Sequence, residues 1–183
     1  MRYDVTLVTD QDLYLFNEGN HVRLYEKLGS HSLESGSDAG TCFAVWAPNA
    51  EGVSVMGEFN GWDNRAHPLR PRGDSGIWEG FLPGVRAGSA YKYHVISRFG
   101  GYRYDKSDPF AFFSQAPPEP GSIVWNLWNE WGDADWMANR RRRNAADRPM
   151  AIYEVHLGSW MRVPVEGNRP LTYRNWLPAS PPT

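Results

Sequence analysis

Apolar and polar residues alternate along several short runs of this chain, and glycine and proline separate the runs. The clearest is residues 90–98, where the odd positions from Tyr91 to Val95 would face a core and even positions such as Lys92 would face away from it. Alternation with a period of two is typical of a half-buried β-strand. Seven such strands are predicted, at residues 41–47, 53–57, 67–71, 77–82, 90–98, 102–106 and 122–125. Their number and spacing indicate an all-β fold, an immunoglobulin-like β-sandwich over residues 41–127.

A hairpin and a tight turn are predicted within residues 43–62. Two apolar runs flank a Pro-Asn-Ala-Glu-Gly stretch, whose proline and glycine favour a loop between two strands. The dipeptide Asn60-Gly61 then favours a second turn, because both residues tolerate a positive φ angle. Trp62 follows directly, so we expect its large, flat ring at the lip of the turn, presented to something outside the sheet.

The first 40 residues predict a short helix and a linker ahead of the sandwich. Thr9 and Asp12 occupy the positions of a helix N-cap and its third residue, which predicts a helix over residues 10–18. Residues 24–29 fit either a strand or a single helical turn. Residues 30–40 are rich in serine, glycine and aspartate and are predicted to be a loop.

The sequence changes character after the sandwich. Residues 131–143 place aspartates early and arginines late, as a helix dipole favours, and predict a short helix within a connector over residues 128–149. Residues 150–157 are almost continuously apolar, which is typical of a strand buried on both faces. The polar, proline-rich residues 168–183 offer nothing to cover such a strand, so we expect self-association through its open edge.

Composition supports the fold class and excludes several functions. Nine Trp, nine Tyr and eight Phe make the 183-residue chain 14% aromatic, and 18 Gly and 14 Pro supply turns, a combination that favours an all-β fold. A net charge of −2 provides no attraction to nucleic acid or to an anionic membrane. No apolar run reaches the ~20 residues of a membrane span. The five histidines lack the spacing of metal ligands, so we expect neither a metal site nor a cofactor.

The single cysteine and the N-terminus indicate a cytoplasmic protein. Cys42 has no second cysteine to pair with, and the first residues do not resemble a signal peptide. We expect the thiol to be buried and inert. We also expect most of the aromatic residues in the core of the sandwich. Those assigned to the core are Trp46, Phe59, Trp78, Phe81, Tyr91 and Tyr93.

Several separated motifs resemble carbohydrate-binding module family 48, which accompanies enzymes acting on glycogen and starch. They are Trp46-Ala47-Pro48-Asn49-Ala50, Phe59-Asn60-Gly61-Trp62, Tyr91-Lys92-Tyr93 and Asp108-Pro109-Phe110-Ala111. The flanks resemble bacterial 1,4-α-glucan (glycogen) branching enzymes, in D-L-Y-L-F-N-E-G at residues 12–19, L-Y-E-K-L-G at 24–29 and Y-E-V-H-L-G-S-W at 153–160. The resemblance extends over roughly residues 10–174, and the motifs occur in the order of the family.

The resemblance implies retaining α-1,4 to α-1,6 glucan transfer, in which an Asp nucleophile and a Glu acid-base lie on later strands of a (β/α)8 barrel. A barrel needs about 250 residues, so residues 150–183 would hold only its first strand and a divergent tail. We therefore predict an N-terminal fragment that is inactive alone and assign no catalytic residue. Glu154 and His156 are explained as parts of the barrel strand. The alternatives are an autonomous glycogen- or starch-binding module and a nonfunctional remnant of a broken gene.

Binding of an α-glucan is the function that the remaining residues could support. An aromatic ring stacks on the apolar face of glucose while neighbouring donors bind the hydroxyls. The resemblance implies these roles for Trp62 and Lys92, and it places Ser122 where related modules carry an asparagine. Packing against a neighbouring domain is the alternative role for Trp62. The candidate carbohydrate-binding residues are Trp62, Lys92, Asn60, Tyr102 and Tyr104.

Overall fold

The computed structural model describes residues 1–35, 38–150, 152 and 154–176. The chain divides into two units, Met1–Asn129 and Glu130–Thr183. Helix α1 (Asp10–Asn17) opens the first unit. The strands of this unit are β1 (Gly29–Ser35), β2 (Asp38–Trp46), β3 (Ala50–Gly57), β4 (Arg70–Pro71), β5 (Ile77–Pro83), β6 (Ala90–Ser97), β7 (Arg103–Lys106), β8 (Phe113–Ser114) and β9 (Ser122–Ile123).

Two antiparallel sheets enclose the main core of the first unit. The first sheet has the strand order β1-β2-β5-β4, and the second has the order β3-β6-β9-β8 with β7 paired to β6. Alternate residues of both sheets point into one buried cluster, as the period of two requires. This core consists mainly of Phe43, Val45, Val53, Val55, Leu69, Trp78, Leu82, Tyr91, Tyr93 and Val124. The predicted all-β sandwich is confirmed.

The strand predicted at residues 67–71 passes from one sheet to the other. The backbone of His67 accepts a hydrogen bond from the N–H of Val55 (3.0 Å), and Leu69 donates to Val53 (2.8 Å), so this part lies along β3. The next two residues form β4 and pair with β5. Changing sheets lets one short segment satisfy backbone groups at the edges of both.

Residues 8–28, which we call the N-terminal cover, pack on the outer face of the first sheet. The residues before them begin beside β5, where the Arg2 N–H donates to the Phe81 carbonyl (2.7 Å). The predicted helix is confirmed, and Thr9 and Asp12 form a reciprocal capping box at its start. Behind it, Leu24–Glu26 form a 3-10 turn, one of the two structures expected there. A second apolar cluster joins the cover to the sheet. It consists of Val8, Leu28, Ala44 and Ile77, with Leu13, Phe16, Leu24 and Phe110 packed against them.

The prediction of a loop over residues 30–40 is wrong. Strands β1 and β2 pair from Gly29 opposite Ala44 along the hairpin, so the sandwich begins before Thr41. Ser30 is 2% exposed. Serine and aspartate favour turns because their side chains offer the backbone hydrogen bonds other than those of a ladder, and glycine favours them because it adopts positive φ angles easily. Here the continuous ladder with β2 satisfies the backbone and outweighs that local preference.

Trp46 is the aromatic residue whose core assignment is wrong. It is 53% exposed, whereas Phe81 and Tyr91 are fully buried. Val45 points into the core, so the pleat turns the next side chain to the opposite face. There the Trp46 ring lies edge-on to Phe16, with centroids 6.0 Å apart. Of the other residues assigned to the core, Trp78 and Tyr93 are buried and Phe59 is partly buried.

A buried carboxyl group ties β6 to the segment before β9. Asp108 Oδ2 accepts hydrogen bonds from the hydroxyls of Tyr91 (2.6 Å) and Tyr93 (3.3 Å). Burial raises the pKa of Asp108 above its ordinary value, although these hydrogen bonds and one from the Phe110 N–H oppose the shift. The backbone N–H of Asp108 donates to Ser122 Oγ (2.8 Å). Ser122, which accepts this hydrogen bond, is fully buried.

The second unit contains short elements. They are α2 (Ala134–Arg143), α3 (Leu157–Trp160), β10 (Arg162–Val163), β11 (Arg169–Pro170) and α4 (Tyr173–Trp176). The strand predicted at residues 150–157 is not found at 152 and 154–156, while residues 151 and 153 lie outside the described part of the chain. A strand buried on both faces needs hydrogen-bonded neighbours. In the described part of this unit, the strands β10 and β11 pair with each other.

Candidate functional site

The turn that carries Trp62 is held by the side-chain amide of Asn60. A 3-10 turn, Glu58–Asn60, follows β3. Asn60 Oδ1 accepts from the backbone N–H of Gly57 (2.9 Å), and Nδ2 donates to the carbonyl of Asp63 (3.1 Å). The amide is thus bonded at both ends within the turn, so Asn60 positions Trp62 and has little capacity left for a ligand.

Trp62 lies beyond this turn in a left-handed backbone conformation. Its φ angle is 63°, and its N–H donates to the carbonyl of Gly57 (2.9 Å). The side chain is 38% exposed. The Nζ atom of Lys92 lies 5.9 Å from the ring centroid, within the range of a cation–π interaction. The structure therefore brings the two principal candidate residues together.

Lys92 points away from the core, onto the outer face of the second sheet. Its neighbours in β6, Tyr91 and Tyr93, belong to the core cluster, so the alternation of the strand places Lys92 on the opposite face. Lys92 pairs with Met56 of β3. One position further along the same face, His94 pairs with Asp105 of β7.

Polar groups follow Lys92 along this outer face. The Nδ1 atom of His94 lies 2.6 Å from Asp105 Oδ1 and 3.5 Å from the amide nitrogen of Asn64. A shallow cavity of about 210 Å³ opens beside them, lined by Asn64, His94, Ile96 and neighbouring residues. In the turn, the backbone N–H of Arg65 lowers the pKa of the Asp63 carboxyl. The face thus combines an exposed ring with nearby hydrogen-bonding groups, which suits a polyhydroxylated, uncharged ligand.

Tyr102 and Tyr104 lie on the other face of the same sheet. Tyr104 pairs with Val95, and the backbone carbonyl of Tyr102 accepts from Ser97. Paired residues in an antiparallel ladder share a face, so both tyrosines are on the core side of β6, opposite Lys92. The five candidate residues therefore do not form one site.

The contribution of His94 to the outer face could be found from the sequence, whereas that of Asp105 could not. The alternation in residues 90–98 places His94 on the same side as Lys92. Asp105 joins them only through the register of β6 and β7, and the length of the intervening loop hides that register from the sequence. Asn64 likewise reaches His94 through the fold of the turn.

Glu154 and His156, to which the sequence analysis assigned no catalytic role, are both exposed in the second unit. His156 Nδ1 contacts Ser159 Oγ at 2.8 Å within one exposed turn. Across residues 1–35, 38–150, 152 and 154–176, no cluster of His, Cys, Asp and Glu could hold a metal ion. Within the same ranges, none of the helices has the length and apolarity needed to cross a membrane.

Comparison with known proteins identifies the module and its relatives. Residues 27–111 match the family model of carbohydrate-binding module 48, the isoamylase N-terminal domain. The chain is 54% identical over 170 residues to a 1,4-α-glucan branching enzyme of Aquifex aeolicus, covering 92% of this chain and 27% of the relative. It is 53% identical over 169 residues to the enzyme of Rubrobacter xylanophilus, covering 92% of this chain and 23% of the relative.

Among solved structures, ligand-free PulA of Klebsiella pneumoniae matches with a TM-score of 0.45 and 25% identity, covering 55% of this chain and 10% of that one. The chain spans about a quarter of the length of the branching enzymes that it matches. Residues 27–111 thus match carbohydrate-binding module family 48, and the chain as a whole is similar to the N-terminal part of bacterial 1,4-α-glucan branching enzymes.

Proposed function

We propose that this chain binds an α-glucan on the outer face of its second sheet and so contributes substrate binding to glucan branching. The observation that carries the proposal is the pair formed by Trp62 and Lys92. The ring is exposed at a turn that the chain holds in an unfavourable backbone conformation, and an ammonium group lies 5.9 Å from its centroid. A glucose unit stacked on this ring would lie next to a hydroxyl-binding cation.

Affinity electrophoresis in gels containing glycogen tests the proposal. The chain should be retarded, and Trp62→Ala should remove most of the retardation because it removes the stacking surface. Trp128→Ala is the matched control, since Trp128 is 76% exposed and should leave retardation unchanged. Mobility that does not depend on glycogen would refute the proposal, as would equal loss in both variants.

We further infer that the 183-residue chain performs no glucan transfer alone. Retaining transfer requires a pair of carboxyl groups, which this family positions on a (β/α)8 barrel of about 250 residues, and the chain has 183 residues. Amylose incubated with the purified chain should therefore keep its iodine absorption spectrum. A spectral shift that grows with time and protein concentration would show that the chain carries catalytic groups.

A further inference from the structure

Tyr102 and Tyr104 form an exposed aromatic surface of their own. Their rings stack with centroids 6.2 Å apart and planes 29° apart. Tyr102 is 61% exposed and Tyr104 is 52% exposed. Together the two rings leave apolar surface in contact with water, and covering such surface is favourable. Exposed aromatic pairs of this kind are typical of ligand-binding surfaces.

Each ring of the tyrosine pair has a neighbour on the hairpin: Lys106 lies beside Tyr104, and Gly100 lies beside Tyr102. Lys106 Nζ lies 5.0 Å from the Tyr104 centroid, so a cation flanks this ring as Lys92 flanks Trp62. On the other side, a Cβ atom at Gly100 would approach Tyr102 Cε2 to 2.8 Å. The absence of a side chain at Gly100, which has a φ angle of 66°, lets the Tyr102 ring lie against the hairpin backbone.

The register of β6 separates this surface from the Trp62 site. Lys106 pairs with Tyr93 and Tyr104 with Val95, both on the core side of the sheet. Lys92 lies on the outer side. The sheet itself therefore stands between the two surfaces, and a ligand on one does not contact the other.

We propose that the surface formed by Tyr102, Tyr104 and Lys106 is a second α-glucan-binding site, which binds a different chain from the one held at Trp62. The inference rests on the proposed function, because it assigns to this surface the same ligand chemistry: rings for the apolar face of glucose and an ammonium donor for its hydroxyls. Two sites on opposite faces of one sheet let the module hold two outer chains of a branched glucan at once. Such bivalent binding strengthens attachment to a branched particle without new contacts.

Isothermal titration with maltoheptaose, a single linear chain, tests this arrangement. The wild-type chain should bind two molecules of maltoheptaose. Trp62→Ala and the double variant Tyr102→Ala/Tyr104→Ala should each bind one, and combining all three changes should abolish binding. Phe99→Ala is the matched control, because Phe99 is 62% exposed in the same hairpin and should leave two sites. On glycogen, losing either site should weaken retention by about 100-fold or more, since avidity is lost.

The outcomes separate this inference from the proposed function. One bound molecule that Trp62→Ala abolishes and the tyrosine variant leaves intact would overturn the second site and support the first. One molecule abolished by either variant would overturn it too, because the residues would then form a single site. Absence of binding in the wild-type chain would refute both proposals. Circular dichroism of each variant excludes loss of fold as the cause.

Discussion

Trp62 is the residue whose conformation most clearly departs from what its side chain favours. A left-handed backbone costs a residue with a Cβ atom about 1–2 kcal/mol relative to glycine. The turn imposes this conformation through Asn60 and through the hydrogen bond from Trp62 to Gly57. Strain of this kind concentrates at functional positions, which agrees with a ring held ready for a ligand.

Replacing Trp62 should therefore separate stability from binding. Trp62→Gly relieves the backbone strain and Trp62→Ala does not, so the glycine variant should exceed the alanine variant in free energy of unfolding by about 1 kcal/mol. Both variants should lose glycogen retention alike, because both lack the ring. Urea denaturation and affinity electrophoresis measure the two effects. An alanine variant as stable as the glycine variant would show that the turn relaxes when the ring is removed.

The charge of Lys92 should matter for binding more than for folding. Lys92→Met keeps the apolar stem over Trp62 and removes the ammonium group. A hydrogen bond to a charged group contributes about 1.5–3 kcal/mol, so affinity for maltoheptaose should fall about 10-fold or more. The free energy of unfolding should change by less than about 0.5 kcal/mol, as for other surface changes. Unchanged affinity in calorimetric titration would remove Lys92 from the site.

The sequence predicts which residues alternate but not which faces remain exposed. A turn signal placed Trp62 at a turn and one clear run of alternation placed Lys92 on a strand, but only the family resemblance paired the two residues. Tyr102 and Tyr104 were assigned to the same site, yet the ladder puts them on the opposite face. Their face depends on the register across a glycine-rich hairpin, and a shift of one residue would reverse it.

Among the elements, α1 is a short helix that is stabilised at its start by the charged side chain of Asp12. Asp12 Oδ2 accepts a hydrogen bond from the backbone N–H of the N-cap residue Thr9 (2.8 Å). The carboxylate also contacts Lys27 Nζ (2.9 Å) and His21 Nε2 (2.9 Å). Burial opposes ionisation of Asp12, but hydrogen bonds from Thr9, Lys27 and His21 outweigh it and lower its pKa below the ordinary value of 3.8. Its carboxylate therefore joins the helix to the end of the N-terminal cover.

The contribution of Asp12 should depend on pH. Because the folded-state pKa is depressed, the stabilisation is complete above the unfolded value of 3.8 and is lost as the pH falls toward the folded value. The difference in free energy of unfolding between wild type and Asp12→Asn should therefore shrink as the pH is lowered through this range. Asp74→Asn, at an exposed turn, is the control. A difference that does not change with pH would contradict the assignment of the stabilisation to the ionised carboxylate.

Strands with a clear hydrophobic alternation could be predicted, and those defined by their partners could not. The strand at β6 follows from its own residues. The edge strand β1 is polar enough to resemble a loop and becomes a strand only through β2. The opposite error occurred at residues 152 and 154–156, which form no strand, because apolar residues alone do not make a strand without neighbours to pair with.

At the scale of the whole first unit, the N-terminal cover adds a third layer to the sandwich. Its cluster with Ala44 and Ile77 lies on the face of the first sheet that does not contact the main core. Cys42 lies on this same face, 1% exposed, and burial raises the pKa of its thiol to about 12. Thiol reactivity therefore reports whether the cover opens separately from the sandwich.

The N-terminal cover and the sandwich should unfold together. At neutral pH the Cys42 thiol should react with a thiol reagent only as fast as the first unit unfolds, because the thiol is both buried and protonated. Val8→Ala removes a buried side chain of the cover and should lower the free energy of unfolding by about 2 kcal/mol. Labelling should then accelerate by about the same factor as global unfolding.

Val165→Ala is the matched control for this experiment, since Val165 is 91% exposed in the second unit and should alter neither rate. Labelling is followed by mass spectrometry and global unfolding by tryptophan fluorescence in urea. Cys42 labelling that is fast in the wild type while fluorescence reports a folded sandwich would show that the cover detaches by itself. In that case the helix and the strands would be separate cooperative units, and the third layer would not share the stability of the sandwich.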